Sequence, residues 1–187
     1  KRADLFLEAL GKASGSKRVD LLRPLARIGG ERALQTVIQE TQSKDQMIQD
    51  AAVKTLAEWP DIDAADELLN ICRSTSNPEN LRSAIQGYVR LVNGADLTPD
   101  KKFSFLKNAL EIPLGVEEKS FVLSGLSNIK TLESLKLVAD YLGDLDLKGK
   151  ASLAAARIAY PGAGQDFGLT GSEVISVLKK AAAVIED

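Results

Sequence analysis

Apolar residues along the chain follow a helical spacing that recurs five times. Four copies have apolar side chains at positions i, i+1, i+4 and i+7, which lie on one face of an α-helix, and the fifth is weaker because Ser152 stands at i+1. The last apolar residue of each copy, which we call the anchor, is Ile28, Trp59, Leu91, Ile129 and Ile158 in turn. Successive anchors are 31, 32, 38 and 29 residues apart. This spacing predicts an internal repeat.

A second helical pattern lies between successive copies, at residues 33–38, 65–72, 105–110 and 135–142. Turn-forming glycine, proline and asparagine residues separate the two patterns. Thr98-Pro99 and the capping-box spacing of Thr170 with Glu173 are typical of helix starts. Pro24 falls inside a helical pattern and is expected to kink it. Each repeat is therefore predicted to be two antiparallel helices.

One helical hairpin cannot bury the apolar faces of both its helices, so neighbouring repeats must stack. The predicted fold class is all-α, an α-solenoid of about five antiparallel helix pairs plus a C-terminal helix. We predict a single repeat domain over residues 1–187. Its parts are repeats at 1–29, 30–59, 60–92, 95–129 and 130–159, a glycine-rich connector at 160–171, and a terminal helix at 172–187.

The chain resembles short HEAT repeats in three segments, IQDAAVKTLAEWPD, LRSAIQGYVRLV and EEKSFVLSGLSNIKTLESLKLVADYL. The repeat is shorter than the usual HEAT period of about 40–47 residues. Arg82 fits the arginine position of HEAT turns, whereas Gln49 and Ser120 stand at its equivalents. The resemblance implies a non-catalytic interaction scaffold. The repeats are also similar to HEAT modules of secreted bacterial multidomain proteins, which implies a bacterial multidomain context and favours the periplasm or cell envelope over the cytoplasm.

Composition excludes several kinds of chemistry. The chain has no histidine and one cysteine, so it has neither a Ser-His-Asp nor a Cys-His catalytic unit, and no Cys-only metal site. We therefore predict no catalytic residue, no cofactor and no metal site. Its formal net charge is −2, from 24 basic and 26 acidic residues, which argues against nucleic acid as a partner. No apolar stretch approaches the ~20 residues of a membrane helix. The start at Lys1 indicates a processed product or part of a longer protein.

The remaining motifs favour structural interpretations. The glycines of residues 161–168 lack the spacing of a phosphate-binding loop, and no strand precedes them. Cys72 is expected to be a buried, inert thiol and Trp59 a core residue. Paired carboxylates are expected to be solvated turn residues rather than acid–base or metal groups. These pairs are Asp61/Asp63, Glu117/Glu118 and Asp144/Asp146.

Resemblance to HEAT stacks implies that the second helix of each pair lines a concave face. Its polar positions, one and five residues before each anchor, form what we call the second-helix face. They are Arg27, Glu58, Arg90, Asn128 and Arg157, then Arg23, Lys54, Gln86, Ser124 and Leu153. The candidate binding residues are the five basic ones: Arg23, Arg27, Lys54, Arg90 and Arg157. The alternative is that their stems cover apolar surface and their charges pair with nearby acids.

The leading functional hypothesis is an interaction module that binds a protein partner or a neighbouring domain of the same chain through these helices. Two alternatives remain, namely a nucleic-acid-binding HEAT-like protein and an accessory domain of a carbohydrate-active bacterial protein. An enzyme that uses carboxylates alone is a further class, which would need two carboxylates within working distance in one cleft.

Overall fold

The computed structural model describes residues 2–161 and 168–186, and all regular secondary structure in these ranges is helical. The helices of the first 95 residues are α1 Arg2–Lys12, α2 Gly15–Leu22, α3 Leu25–Ile28, α4 Glu31–Glu40, α5 Gln46–Ala57, α6 Ala65–Ser74 and α7 Pro78–Gly94. A short 3₁₀ turn, Ile62–Ala64, precedes α6. The later helices are α8 Pro99–Leu110, α9 Val116–Leu126, α10 Leu132–Ala139, α11 Lys148–Ala159 and α12 Ser172–Glu186.

Side-chain caps fix several helix starts. Asn77 accepts hydrogen bonds from the backbone N–H groups of Glu79 and Asn80 at the start of α7, and Thr98 accepts one from Lys101 at the start of α8. Each cap satisfies a backbone donor that has no partner within its helix. Pro24 separates α2 from α3, which confirms the predicted kink. The terminal helix begins at Ser172, as predicted, and the Gly171 carbonyl accepts its first helical bond, from the N–H of Ile175.

The helices group into two compact units, residues 1–95 and 96–187. In the first unit, α4 packs on α5 and α6 packs on α7, while α5 also packs between α2 and α7. The second helices of successive repeats are therefore neighbours. Stacking of this kind confirms the predicted helical-repeat fold class for this part of the chain.

In the second unit the helices pack in the same way, and an additional helix follows the last pair. Helix α8 packs on α9, α9 packs on α11, and α10 packs on α11. Helix α12 covers α10 and α11, where Val174 and Ala181 are buried. The predicted order of five helix pairs followed by a terminal helix is confirmed, whereas the assignment of one domain to residues 1–187 stays a prediction.

A glycine lets α7 approach α5 closely. It is Gly87, in the position four residues before each anchor, where the other repeats hold Pro24, Thr55, Gly125 and Ala154. A Cβ atom on Gly87 would lie 2.5 Å from the Cα of Ala57 and 2.9 Å from its carbonyl oxygen. Helix α7 therefore contacts the backbone of α5 directly, and the anchors Trp59 and Leu91 are buried beside this contact.

Candidate functional site

All ten positions of the second-helix face are exposed, as the repeat register predicts. The five candidate residues are divided between the two units and differ in their neighbours. Arg23, Arg27, Lys54 and Arg90 belong to the first unit and Arg157 belongs to the second. Three open grooves include members of this set.

The groove between α5 and α7 has a volume of about 340 Å³ and combines both signs of charge. Lys54 and Glu58 come from α5 and its C-terminus, and Gln86 and Arg90 come from α7. Gly87 lines the same groove, where the two backbones approach each other. The groove is thus open and carries two basic side chains and one acidic one.

Arg90 has a structural partner within this groove. Its Nη2 donates hydrogen bonds to the carbonyl oxygens of Ala57, at 2.9 Å, and Trp59. These carbonyls lie at the C-terminal end of α5, where backbone acceptors lack helical partners and the helix dipole is negative. Arg90 therefore fastens one repeat to the preceding one, which supports the structural alternative for this residue.

Near the first repeat, Arg27 lines a groove of about 440 Å³ with Phe6, Pro24 and Ile28. Arg23 is exposed on the same kinked segment. The anchor Ile28 is only half-buried, unlike the four later anchors. The lining of this groove is therefore mainly apolar, with Arg27 as its charged member.

The groove between α9 and α11 has a volume of about 300 Å³ and a different character. Its lining residues are Ser120, Phe121, Ser124, Ser127, Lys150, Leu153, Ala154 and Arg157. Both charged members of this lining, Lys150 and Arg157, are basic. The predicted candidate Arg157 lines this groove, whereas the sequence reasoning did not single out Lys150 or Phe121.

Sequence reasoning also missed a partly buried ion pair. Arg18 donates from Nε to both carboxylate oxygens of Glu40 at 3.1 Å, and from Nη1 to the carbonyl oxygens of Leu10 and Ala13. The hydrogen bond to Glu40 raises the pKa of Arg18. Both residues are largely covered, so the pair fastens α1, α2 and α4 together rather than binding a ligand.

The repeat register contains a signal for this contact. Gln49 stands 31 residues after Arg18, and its Nε2 donates to the carbonyl oxygen of Thr41 at 2.9 Å. Thr41 in turn stands 31 residues after Leu10, which accepts from Arg18 at 2.8 Å. In both repeats a long polar side chain of the second helix therefore binds the C-terminal end of the first helix.

The other candidates are placed as follows. Trp59 is 1% exposed and Cys72 is buried. Asp61 and Asp144 accept backbone hydrogen bonds from Asp63 and Asp146, as turn residues do. The glycine-rich segment at 162–167 lies outside the described residues.

No group of three metal-ligating side chains occurs among the residues that the structure describes. Within the same ranges, no helix is both long enough and apolar enough to cross a lipid bilayer. The described surface therefore offers grooves of repeated helices as its main candidate for binding.

Comparisons with known proteins agree with this architecture. Residues 3–88 match the family of HEAT repeats. The crystal structure of an engineered protein is similar over 100% of this chain and 97% of its own, with 16% sequence identity and a TM-score of 0.53. None of the curated proteins compared with the chain matches it. The match to HEAT repeats thus covers residues 3–88, and the similarity in fold to the engineered protein covers the whole chain.

Proposed function

We propose that this protein is a non-catalytic scaffold that binds a protein partner, or a neighbouring domain of the same chain, through the second-helix face. The observation that carries the proposal is the exposure of all ten face positions, five of them basic and one acidic, in a chain whose net charge is −2. Side chains that serve only to cover apolar surface need no such excess of one sign. A basic face favours an acidic partner through electrostatic complementarity.

The best residues for a test are Lys54 and Arg157. Both line grooves, and neither side chain has an ion pair or hydrogen bond among the described residues. Arg90 is unsuitable because its guanidinium binds the C-terminal end of α5. A double variant, Lys54→Glu with Arg157→Glu, reverses the charge without removing a known structural contact.

The experiment compares proteins retained from a cell extract of the source organism by the immobilised wild type and by this variant. The matched control is Lys179→Glu with Lys180→Glu, which makes the same charge change on the exposed surface of α12. We expect a protein retained by the wild type and the control to be depleted at least tenfold on the face variant. The purified partner should then show the same difference in affinity. Equal retention by both variants would contradict the proposal.

Nucleic acid is a weaker proposal for the same face. A protein that neutralises several phosphates shows steep salt dependence of binding, with a slope of about −0.9 per phosphate contacted. The α5–α7 groove includes Glu58, and Arg90 is already bound to backbone carbonyls. A DNA titration at low ionic strength is expected to show no binding.

The resemblance to modules of secreted bacterial proteins supports a related alternative, in which the partner is a carbohydrate-active domain of the same polypeptide. The sequence of the full precursor would test this alternative directly. An adjoining catalytic domain would support it, and a precursor that consists of these repeats alone would contradict it.

A further inference from the structure

The groove between α9 and α11 brings one face of each helix together. Ser120, Ser124 and Ser127 lie four and three residues apart at α9 and its C-terminus, so they share a helical face. Lys150, Leu153 and Arg157 share a face of α11 in the same way. Because both helices belong to the second unit, the groove is formed within one compact body.

Two uncompensated cations lie at separate positions along this groove. Lys150 and Arg157 are exposed, and neither side chain has a carboxylate partner among the described residues. Seven residues separate them on α11, which corresponds to about 10 Å along a helix axis. The α5–α7 groove differs, because Glu58 lies beside Lys54 there.

An apolar side chain lies between the two cations. Leu153 is 49% exposed, although its equivalents in the other four repeats are Arg23, Lys54, Gln86 and Ser124. Phe121 lines the same groove from α9 and is half-buried. The fifth repeat therefore replaces a polar position by an apolar one where the groove also carries its two positive charges.

The hydroxyls of Ser120 and Ser127 add little positive potential to the groove. Ser120 donates its hydroxyl proton to the Val116 carbonyl at 2.8 Å, and Ser127 donates to the Ser124 carbonyl at 2.7 Å. These hydroxyl protons are already used within α9. An anionic ligand would thus depend on the side chains of Lys150 and Arg157 for its strongest contacts.

We propose that this groove binds a short acidic peptide segment of a partner protein, one with an apolar side chain between two carboxylates. The carboxylates pair with Lys150 and Arg157, and the apolar side chain covers Leu153 and Phe121. This inference rests on the proposed function and assigns one groove to it. Two cations about 10 Å apart match two carboxylates of a short peptide, whereas nucleic acid would need a longer series of cations and has no side chain to place on Leu153.

The test uses the full chain labelled with ¹⁵N and a synthetic probe, acetyl-Glu-Gly-Leu-Gly-Glu-amide. In an extended peptide, alternate side chains point the same way, so both carboxylates and the leucine face the groove. We expect amide shifts to change in α9 and α11, and binding to weaken as salt is raised. The glutamine analogue, acetyl-Gln-Gly-Leu-Gly-Gln-amide, should bind at least tenfold more weakly.

Three variants separate the contributions. Lys150→Glu with Arg157→Glu should weaken binding of the acidic peptide at least tenfold, whereas Lys179→Glu with Lys180→Glu should leave it unchanged. Leu153→Ser should weaken binding about fivefold, as expected for the loss of about 1 kcal/mol of apolar contact. Circular dichroism spectra of the variants establish that their helices are intact.

Several results would overturn the inference. These are an absence of shifts at millimolar peptide, shifts outside α9 and α11, equal binding of the glutamine analogue, and stronger binding of an oligonucleotide at the same residues. If the peptide fails while partner capture still depends on Lys54 and Arg157, the inference falls and the proposed function stands. If capture is also insensitive to those residues, both fall.

Discussion

Replacing Gly87 with alanine tests the close contact between α5 and α7. The new Cβ would lie 2.5 Å from the Cα of Ala57, whereas an ordinary contact is at least 3.4 Å. The obstructing atoms include the Ala57 backbone, so no rotation of a side chain can relieve the clash. The two helices must separate by about 1 Å, beside the buried anchors Trp59 and Leu91.

The expected loss follows from two opposing effects. Alanine in place of glycine stabilises a helix interior by about 1 kcal/mol. Overpacking of a well-packed contact costs about 1–3 kcal/mol, and the upper value applies here because backbone atoms must move. We therefore expect Gly87→Ala to lower the free energy of unfolding by about 2 kcal/mol, which corresponds to about 4–8 °C in Tm for a chain of this size.

The measurement is urea unfolding followed by circular dichroism, together with a thermal scan. The matched control is Gly149→Ala in α11, where nothing lies within 4 Å of the added Cβ. This control should leave stability unchanged or raise it by about 0.5 kcal/mol. A Gly87→Ala protein as stable as the wild type would refute the reasoning, because the α5–α7 contact would then have room for a methyl group.

Three further predictions concern stability. Glu40→Ala leaves the partly covered Arg18 without its carboxylate, so the free energy of unfolding, measured in urea, should fall by about 2 kcal/mol. The control Glu8→Ala, in an exposed ion pair, should lower it by less than about 0.5 kcal/mol. Burial raises the pKa of Tyr88, so the unfolded chain loses this proton first and stability should fall as pH rises above about 10; the fall should be smaller in Tyr88→Phe. Thr98→Ala removes the cap of α8 and should cost about 1 kcal/mol in urea unfolding, whereas Thr98→Ser should cost less.

Helix positions could be predicted because two kinds of signal agree along the sequence, the periodic apolar spacing and the residues typical of helix starts. The apolar spacing marks each helix face, and caps such as Asn77 and Thr98 mark the starts. The exact cap of a helix is less predictable than its position. Thr170 with Glu173 has the sequence of a capping box, but the backbone has a positive φ at Gly171, and α12 begins at Ser172, the start predicted for the terminal helix.

Contacts between polar side chains could not be predicted from apolar periodicity. Arg18 and Glu40 are 22 residues apart, and both belong to the polar positions that a hydrophobic pattern leaves unassigned. The repeat register supplies part of the missing information, since Arg18 and Gln49 occupy equivalent positions and make equivalent contacts. Gly87, four positions before the anchor Leu91, is a second signal of this kind, because it marks the close approach of α7 to α5.

Two side chains at equivalent positions of the repeat need not be equally available for binding, as Arg90 and Arg157 show. Both stand one residue before an anchor and both are exposed. Arg90 donates hydrogen bonds to the carbonyl oxygens at the end of α5. Arg157 instead lines the groove between α9 and α11 together with Lys150, and its side chain has no ion pair or hydrogen bond among the described residues. A charge-reversal series that includes Arg90 would lose stability and binding together, whereas variants at Lys54, Lys150 and Arg157 can separate recognition from folding.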